Sequence, residues 1–147
     1  MDNDIVNPSK IYLDNCCFNR PYDDQTKLKI ELETKAKLYI QNLIIQKEFV
    51  LVISYIFEME NNVNPFIFRK TAISDFFNRA EVNVVENDEI IQIANSIMKD
   101  GLKTKDALHL ACAIFAKCDF FITTDDRLLK HKNKDIEILN PIYFITR

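Results

Sequence analysis

Hydrophobic positions fall into short unbroken runs and longer periodic stretches that alternate along the chain. Lys10 to Leu13 reads as a short strand ending at Asp14. Gln25 to Lys47 is helical in pattern, with Leu28, Leu32, Ala36, Tyr39 and Leu43 on one apolar stripe. Phe49 to Ile53 is a β-branched and aromatic run that suits a strand covered on both faces. Ser54 can cap a helix running towards Asn61, and a second short helix is expected over Phe66 to Phe77. Glu81 to Val85 predicts a third strand. Asp88 to Lys99 is amphipathic, with Ile90, Ile93, Ala94, Ile97 and Met98 sharing a face, and Gly101 stands where a helix C-terminus favours glycine. Thr104 to Lys117 predicts another helix, Asp119 to Thr123 a fourth strand, Asp126 to His131 a helical turn and Ile136 to Leu139 a fifth strand. Strands that alternate with helices in this way imply one three-layer α/β domain over residues 1–147, with a parallel sheet covered on both faces.

Composition narrows the function. Gly101 is the single glycine, so turns fall to Asn61-Asn62, Asn64-Pro65 and Asn140-Pro141, and the glycine-rich nucleotide-binding loops are excluded. A net charge of −3 and a pI near 5.4 argue against a general nucleic-acid coat protein, although not against an enzyme that meets nucleic acid at one patch. Cys16, Cys17, Cys112 and Cys118 form no C-x-x-C pair, so reduced thiols in the cytosol are expected rather than zinc or disulfides. The acidic Met1-Asp2-Asn3-Asp4 start is unlike an export signal, and no apolar run approaches the ~20 residues of a membrane span. A cytoplasmic protein without membrane contact is expected.

In sheets of this kind ligands bind beyond the carboxyl ends of the strands, where strand order reverses. Asp14 follows the first strand, Asp125 and Asp126 follow the fourth, Asp106 opens the helix before it, and Glu58 and Glu60 lie on the helix after the second. Singly, each has a plain explanation: helix caps for Asp14 and Asp125, the helix dipole for Asp106, solvent for a glutamate. Glu60 is harder to dismiss, because it shares a face with Ile56, Phe57 and Val63, on the side turned to the sheet, where a charge needs a partner. Glu58 faces away. Neither lysine nor arginine shares the Glu60 face, and a metal held with other carboxylates would satisfy it. Carboxylates suit Mg²⁺ or Mn²⁺, which activate water for in-line attack on a phosphodiester. Like charges meeting there should leave at least one carboxyl with a raised pKa. His109, three residues after Asp106, reads as a packed or surface residue, and His131 as solvated.

Four short motifs carry a resemblance: I-Y-L-D at 11–14, Ser54 to Glu60, K-D-A-L-H-L-A at 105–111 and F-I-T-T-D-D at 121–126. In this order they resemble the PIN-domain ribonucleases over nearly the whole chain. The resemblance implies a sheet of order 3-2-1-4-5 that brings Asp14 near Asp125. It also implies metal-binding and catalytic roles for Asp14, Glu60, Asp106 and Asp125, with a supporting hydroxyl at Thr123; Asn15 and Asp126, which depart from the family's pattern, are expected to support the site. The implied activity is Mg²⁺- or Mn²⁺-dependent cleavage of RNA by the toxin of a toxin–antitoxin pair, with an antitoxin protein as partner. After its first acid the family usually carries a small hydroxyl residue and then Asn or Ser. Here Asn15 and Cys16 stand there.

Lys103 and Lys105 beside Asp106, and Arg127 and Lys130 after Asp125, are expected to contact RNA phosphates, as is Arg20 in the Arg20-Pro21-Tyr22-Asp23-Asp24 loop. The long apolar helix suggests a homodimer. A phosphate-accepting receiver domain is disfavoured because Asn15 follows Asp14 and Asn140-Pro141 follows the fifth strand, and a D-x-D phosphatase because Cys16 takes the second acid's place. The alternative from another class is a PIN-like module, catalytically weak or inactive, that binds RNA or protein.

Overall fold

The computed structural model describes residues 8–147, and the acidic stretch at positions 1–4 lies outside the described residues. Five strands, Ser9–Leu13 (β1), Phe49–Ser54 (β2), Val82–Val84 (β3), Phe120–Ile122 (β4) and Glu137–Leu139 (β5), form one parallel sheet of order β3-β2-β1-β4-β5. This is the expected order. The helices are Asn15–Asn19 (α1), Leu28–Ile45 (α2), Tyr55–Asn62 (α3), Ile67–Phe77 (α4), Asp88–Met98 (α5), Thr104–Phe115 (α6), Asp126–Lys130 (α7) and Pro141–Thr146 (α8). None of the described helices is long and apolar enough to cross a membrane.

The sheet interior follows from the unbroken apolar runs. Ile11, Tyr12, Leu13, Leu51, Val52, Phe121 and Ile122 are buried, and the Tyr12 ring stacks at 5.0 Å from Phe57 and 5.3 Å from Phe121. The order reverses between β1 and β4, and the register Leu13↔Ile122 ends both strands level. The Asp14 N–H then donates to the Ile122 carbonyl at 2.8 Å, which brings residue 14 beside residue 123.

Several local expectations hold for visible reasons. The Ser54 hydroxyl accepts from the Ile56 N–H to cap α3, and Gly101 takes φ +99 just after α5. The apolar stripe of α2 is a correction. Leu28, at 68% exposure, Leu32 and Tyr39 face outward, while Ala36, Lys37, Ile40 and Ile44 face inward with Glu33. Polar pairing decides this. Glu33 is buried because Arg20 and Asn140 both engage it, so the inward row contains charged residues that a hydrophobicity pattern assigns to solvent. Asn140-Pro141 caps and begins α8 rather than making a plain turn, and Asn61-Asn62 closes α3.

Candidate active site

At the carboxyl end of β1 the extended backbone of Asp14 caps α1, its side chain accepting from the Asn15 N–H at 2.8 Å. The Thr123 hydroxyl, from the end of β4, donates to Asp14 Oδ2 at 2.8 Å, and the Cys16 thiol lies 3.4 Å from the same oxygen. Asp14 is 5% exposed. Among the described residues no lysine or arginine is paired to it. Burial first, and then the neighbouring Cys16 sulfur, push its carboxyl well above the usual range, against the opposing pull of His109, Thr123 and Asn15. Thr123 also accepts from the Asp125 N–H at 3.1 Å, and Asp125 Oδ1 caps α7 by accepting from Arg127 and Leu128. One hydroxyl thus ties the acids of two strands together.

Asp106 stands half-buried in the first turn of α6, where a carboxylate complements the helix dipole. Burial raises its pKa first, and Asp125 adds to this, with a smaller contribution from Glu60; His109 and Lys103 lower it. Raised carboxyl pKa values were expected from like charge alone. In both groups desolvation is the larger cause.

Glu60 faces the sheet beside Ile56 and Phe57, whereas Val63, expected on that face, lies beyond the end of α3 and is 79% exposed. Glu58 is exposed near the Asn83 amide. Partners for Glu60 come from within the protein. Asn15 Nδ2 donates to Oε2 at 2.8 Å, and His109 Nε2 sits in short hydrogen-bond contact with Oε1. His109 is 1% exposed, and its Nδ1 lies 2.6 Å from the Tyr12 hydroxyl, itself 2.7 Å from Ser54 Oγ. One proton arrangement satisfies the whole chain of contacts: His109 Nε2–H donates to Glu60, Tyr12 donates to His109 Nδ1, and Ser54 donates to Tyr12. Burial raises the Tyr12 pKa further, which keeps that hydroxyl a donor. His109, Tyr12 and Ser54 were not foreseen as site residues. The available signal was the spacing of Asp106 and His109, which puts both on one side of α6.

The remaining residues divide. Asn15 lies between Asp14 and Glu60. Asp126, next to Asp125 in the chain, is exposed and lies 3.7 Å from Lys29. Arg20 forms ion pairs with Glu33 at 3.1 Å and with Asp23 at 2.9 Å. Lys103 and Lys105 are exposed at the start of α6, and Arg127 and Lys130 border an open cleft of about 540 Å³ with His131 and Lys132.

Among the described residues no three His, Cys, Asp or Glu side chains stand close enough to enclose a metal ion by themselves. The donor chemistry nevertheless fits a hard cation. Mg²⁺ retains several waters and takes only one or two carboxylates, and the Asp106 carboxyl and one Asp125 oxygen accept no hydrogen bond among the described residues.

No curated protein matches the chain. A solved structure with a similar fold is that of VapBC2 from Rickettsia felis bound to a DNA fragment from their promoter, at TM-score 0.59 and 13% identity over 89% of this chain and 98% of that one. The PIN domain family model matches residues 11–134, a span that contains all four acids, the end of β1 and the whole of β2, β3 and β4. The chain belongs to the PIN domain family.

Proposed function

We propose that this PIN domain is a metal-dependent endoribonuclease that hydrolyses RNA phosphodiester bonds, with Mg²⁺ or Mn²⁺ held by Asp14, Glu60, Asp106 and Asp125. The carrying observation is Asp14, a buried carboxyl lacking a paired lysine or arginine among the described residues. A buried charge in that state calls for a cation. The chemistry a bound divalent ion supplies there is a more acidic water and a neutralised leaving oxygen. Thr123 and Asn15 hold Asp14 in place, and His109 and Asn15 hold Glu60. PIN domains are in general nucleases, which supports the hydrolase assignment. RNA as substrate and an antitoxin as partner follow from the toxin-like resemblance, and the outward apolar positions of α2 support a homodimer.

Purified protein incubated with a panel of labelled RNAs should cleave internally with Mg²⁺ or Mn²⁺ and not with EDTA. The second reading is a binding module without turnover. It is favoured by Cys16, whose sulfur sits 3.4 Å from Asp14 Oδ2 and 3.4 Å from Thr123 Oγ1, where a thiol orders water poorly. RNA binding without cleavage in any metal would select that reading.

Glu60→Gln should weaken Mn²⁺ binding and slow cleavage by roughly tenfold or more, as loss of groups around a metal typically does. Glu58→Gln should stay within about twofold, as expected for a surface change. A larger loss in Glu58→Gln would reverse the assignment. The toxin role predicts growth arrest on expression, relieved by a small partner protein that inhibits cleavage. High-level expression of active enzyme without arrest would remove the toxin role and leave the nuclease.

A further inference from the structure

A second cavity opens from the acidic site on its α4 side. Asn15 and Glu60 form its inner wall, and Asn19, Asn61, Asn64, Phe66 and Arg69 complete it around about 230 Å³. Its polar groups are unusually uncommitted. Asn19 Nδ2 donates to Asn15, which leaves the Asn19 carbonyl oxygen free among the described residues. Asn61 Nδ2 donates to the Lys70 carbonyl, while its buried Oδ1 has no donor. Asn64 Oδ1 accepts from the Phe66 N–H at 3.0 Å, which pins the turn and leaves the Asn64 amide NH₂ unused.

Arg69 dominates this wall. Its guanidinium carbon lies 4.0 Å from the Phe66 ring centroid and 4.9 Å from that of Tyr22. Arg20, Lys29 and Lys35 form ion pairs, but Arg69 has no carboxylate partner among the described residues. Arg69 and Glu60 line the same cavity without forming an ion pair. Stacking on ring faces fixes the guanidinium plane and leaves its N–H edges outward, which suits a planar or phosphate acceptor.

We propose that Arg69, Tyr22 and Phe66, with the Asn19, Asn61 and Asn64 amides, form a subsite for one nucleotide of single-stranded RNA beside the acidic centre. The subsite presupposes the nuclease function proposed above. Carbonyl acceptors and an amide donor match a base edge, exposed Phe66 offers a stacking face, and Arg69 supplies a positive charge on the cavity wall. A protein segment would be drawn by an apolar floor, and this wall is amide-rich.

The test is binding of fluorescent A, C, G and U hexanucleotides to wild-type protein, Arg69→Ala, Arg69→Lys and Asn64→Ala in EDTA, titrated at several salt concentrations. EDTA separates binding from turnover, so the nuclease assay above fails or succeeds independently. Arg69→Ala should weaken binding by about tenfold, a charge-assisted contact's worth. It should also lower the slope of log K against log salt by about 0.7, the loss of one phosphate contact. Arg69→Lys should keep the slope but not the full affinity, and Asn64→Ala should narrow the preference among the four bases. Unchanged affinity and slope in Arg69→Ala overturn the subsite, including the case in which that variant loses a protein partner instead. Failure of the wild type to bind any hexanucleotide overturns it too.

Discussion

Replacing Asp106 by asparagine should lower RNA cleavage by at least about 100-fold, the scale on which removing one preorganised electrostatic group acts. Asp106 is accessible, accepts no hydrogen bond among the described residues, and lies within the field of both Asp125 and Glu60. Little of the fold depends on its charge. Losing a carboxylate from the first turn of α6 costs about 0.3–1 kcal/mol of dipole interaction. Relief of crowding by Asp125 and Glu60 offsets part of that. The variant should therefore retain its circular dichroism spectrum and melt within a few degrees of wild type. An Asp106→Asn protein that cleaves RNA at the wild-type rate would show that the site is misassigned.

Asp14→Asn should raise the melting temperature in EDTA at neutral pH and abolish most of the stabilisation by metal. Burial raises the folded-state pKa of Asp14 above its unfolded value of ~3.9. The folded chain then holds more protons than the unfolded one between those two values. Stability is fully present below ~3.9 and is lost as pH rises through the unfolded pKa and on through the raised folded one. At neutral pH the metal-free protein carries this penalty, and asparagine removes it while still serving as a cap for α1. Divalent ion at 100 times its Kd should add about 2.7 kcal/mol to wild type, a rise of roughly 5–10 °C for a domain of this size. The variant should scarcely respond. Melting curves at pH 4 and 7, with EDTA and with excess Mn²⁺, check both signs. A variant that melts lower in EDTA at pH 7, or a wild type that ignores Mn²⁺, would contradict the role given to Asp14.

The strands were legible as unbroken apolar runs with polar residues at their carboxyl ends, whereas the order of the sheet and the placing of Asp14 and Thr123 at one site came from the resemblance to the PIN-domain ribonucleases. The inward face of α2 was not legible. Glu33 and Lys37 are buried there, Glu33 by partners over 100 residues away at Asn140 and across a loop at Arg20, and Lys37 against Phe18. Hydrophobic periodicity carries no information about such pairs. Glu60 shows the same limit at the site. Its need for a partner was readable from its helix face, but the partner's identity was not, since His109 reaches it from α6 and Asn15 from α1. Tyr12 looked like one more apolar strand residue, and only the fold places its hydroxyl between Ser54 and His109. Arg69 carried no signal either, because its rings come from two separate segments, at Tyr22 and Phe66.

Mn²⁺ located by anomalous diffraction in crystals soaked at a concentration that supports cleavage bears most directly on the account. The predicted result is an ion at the carboxyl ends of β1 and β4, bound by carboxylate oxygens from among Asp14, Glu60, Asp106 and Asp125 and completed by water. An ion held elsewhere, or the absence of any at these four residues under those conditions, would contradict it.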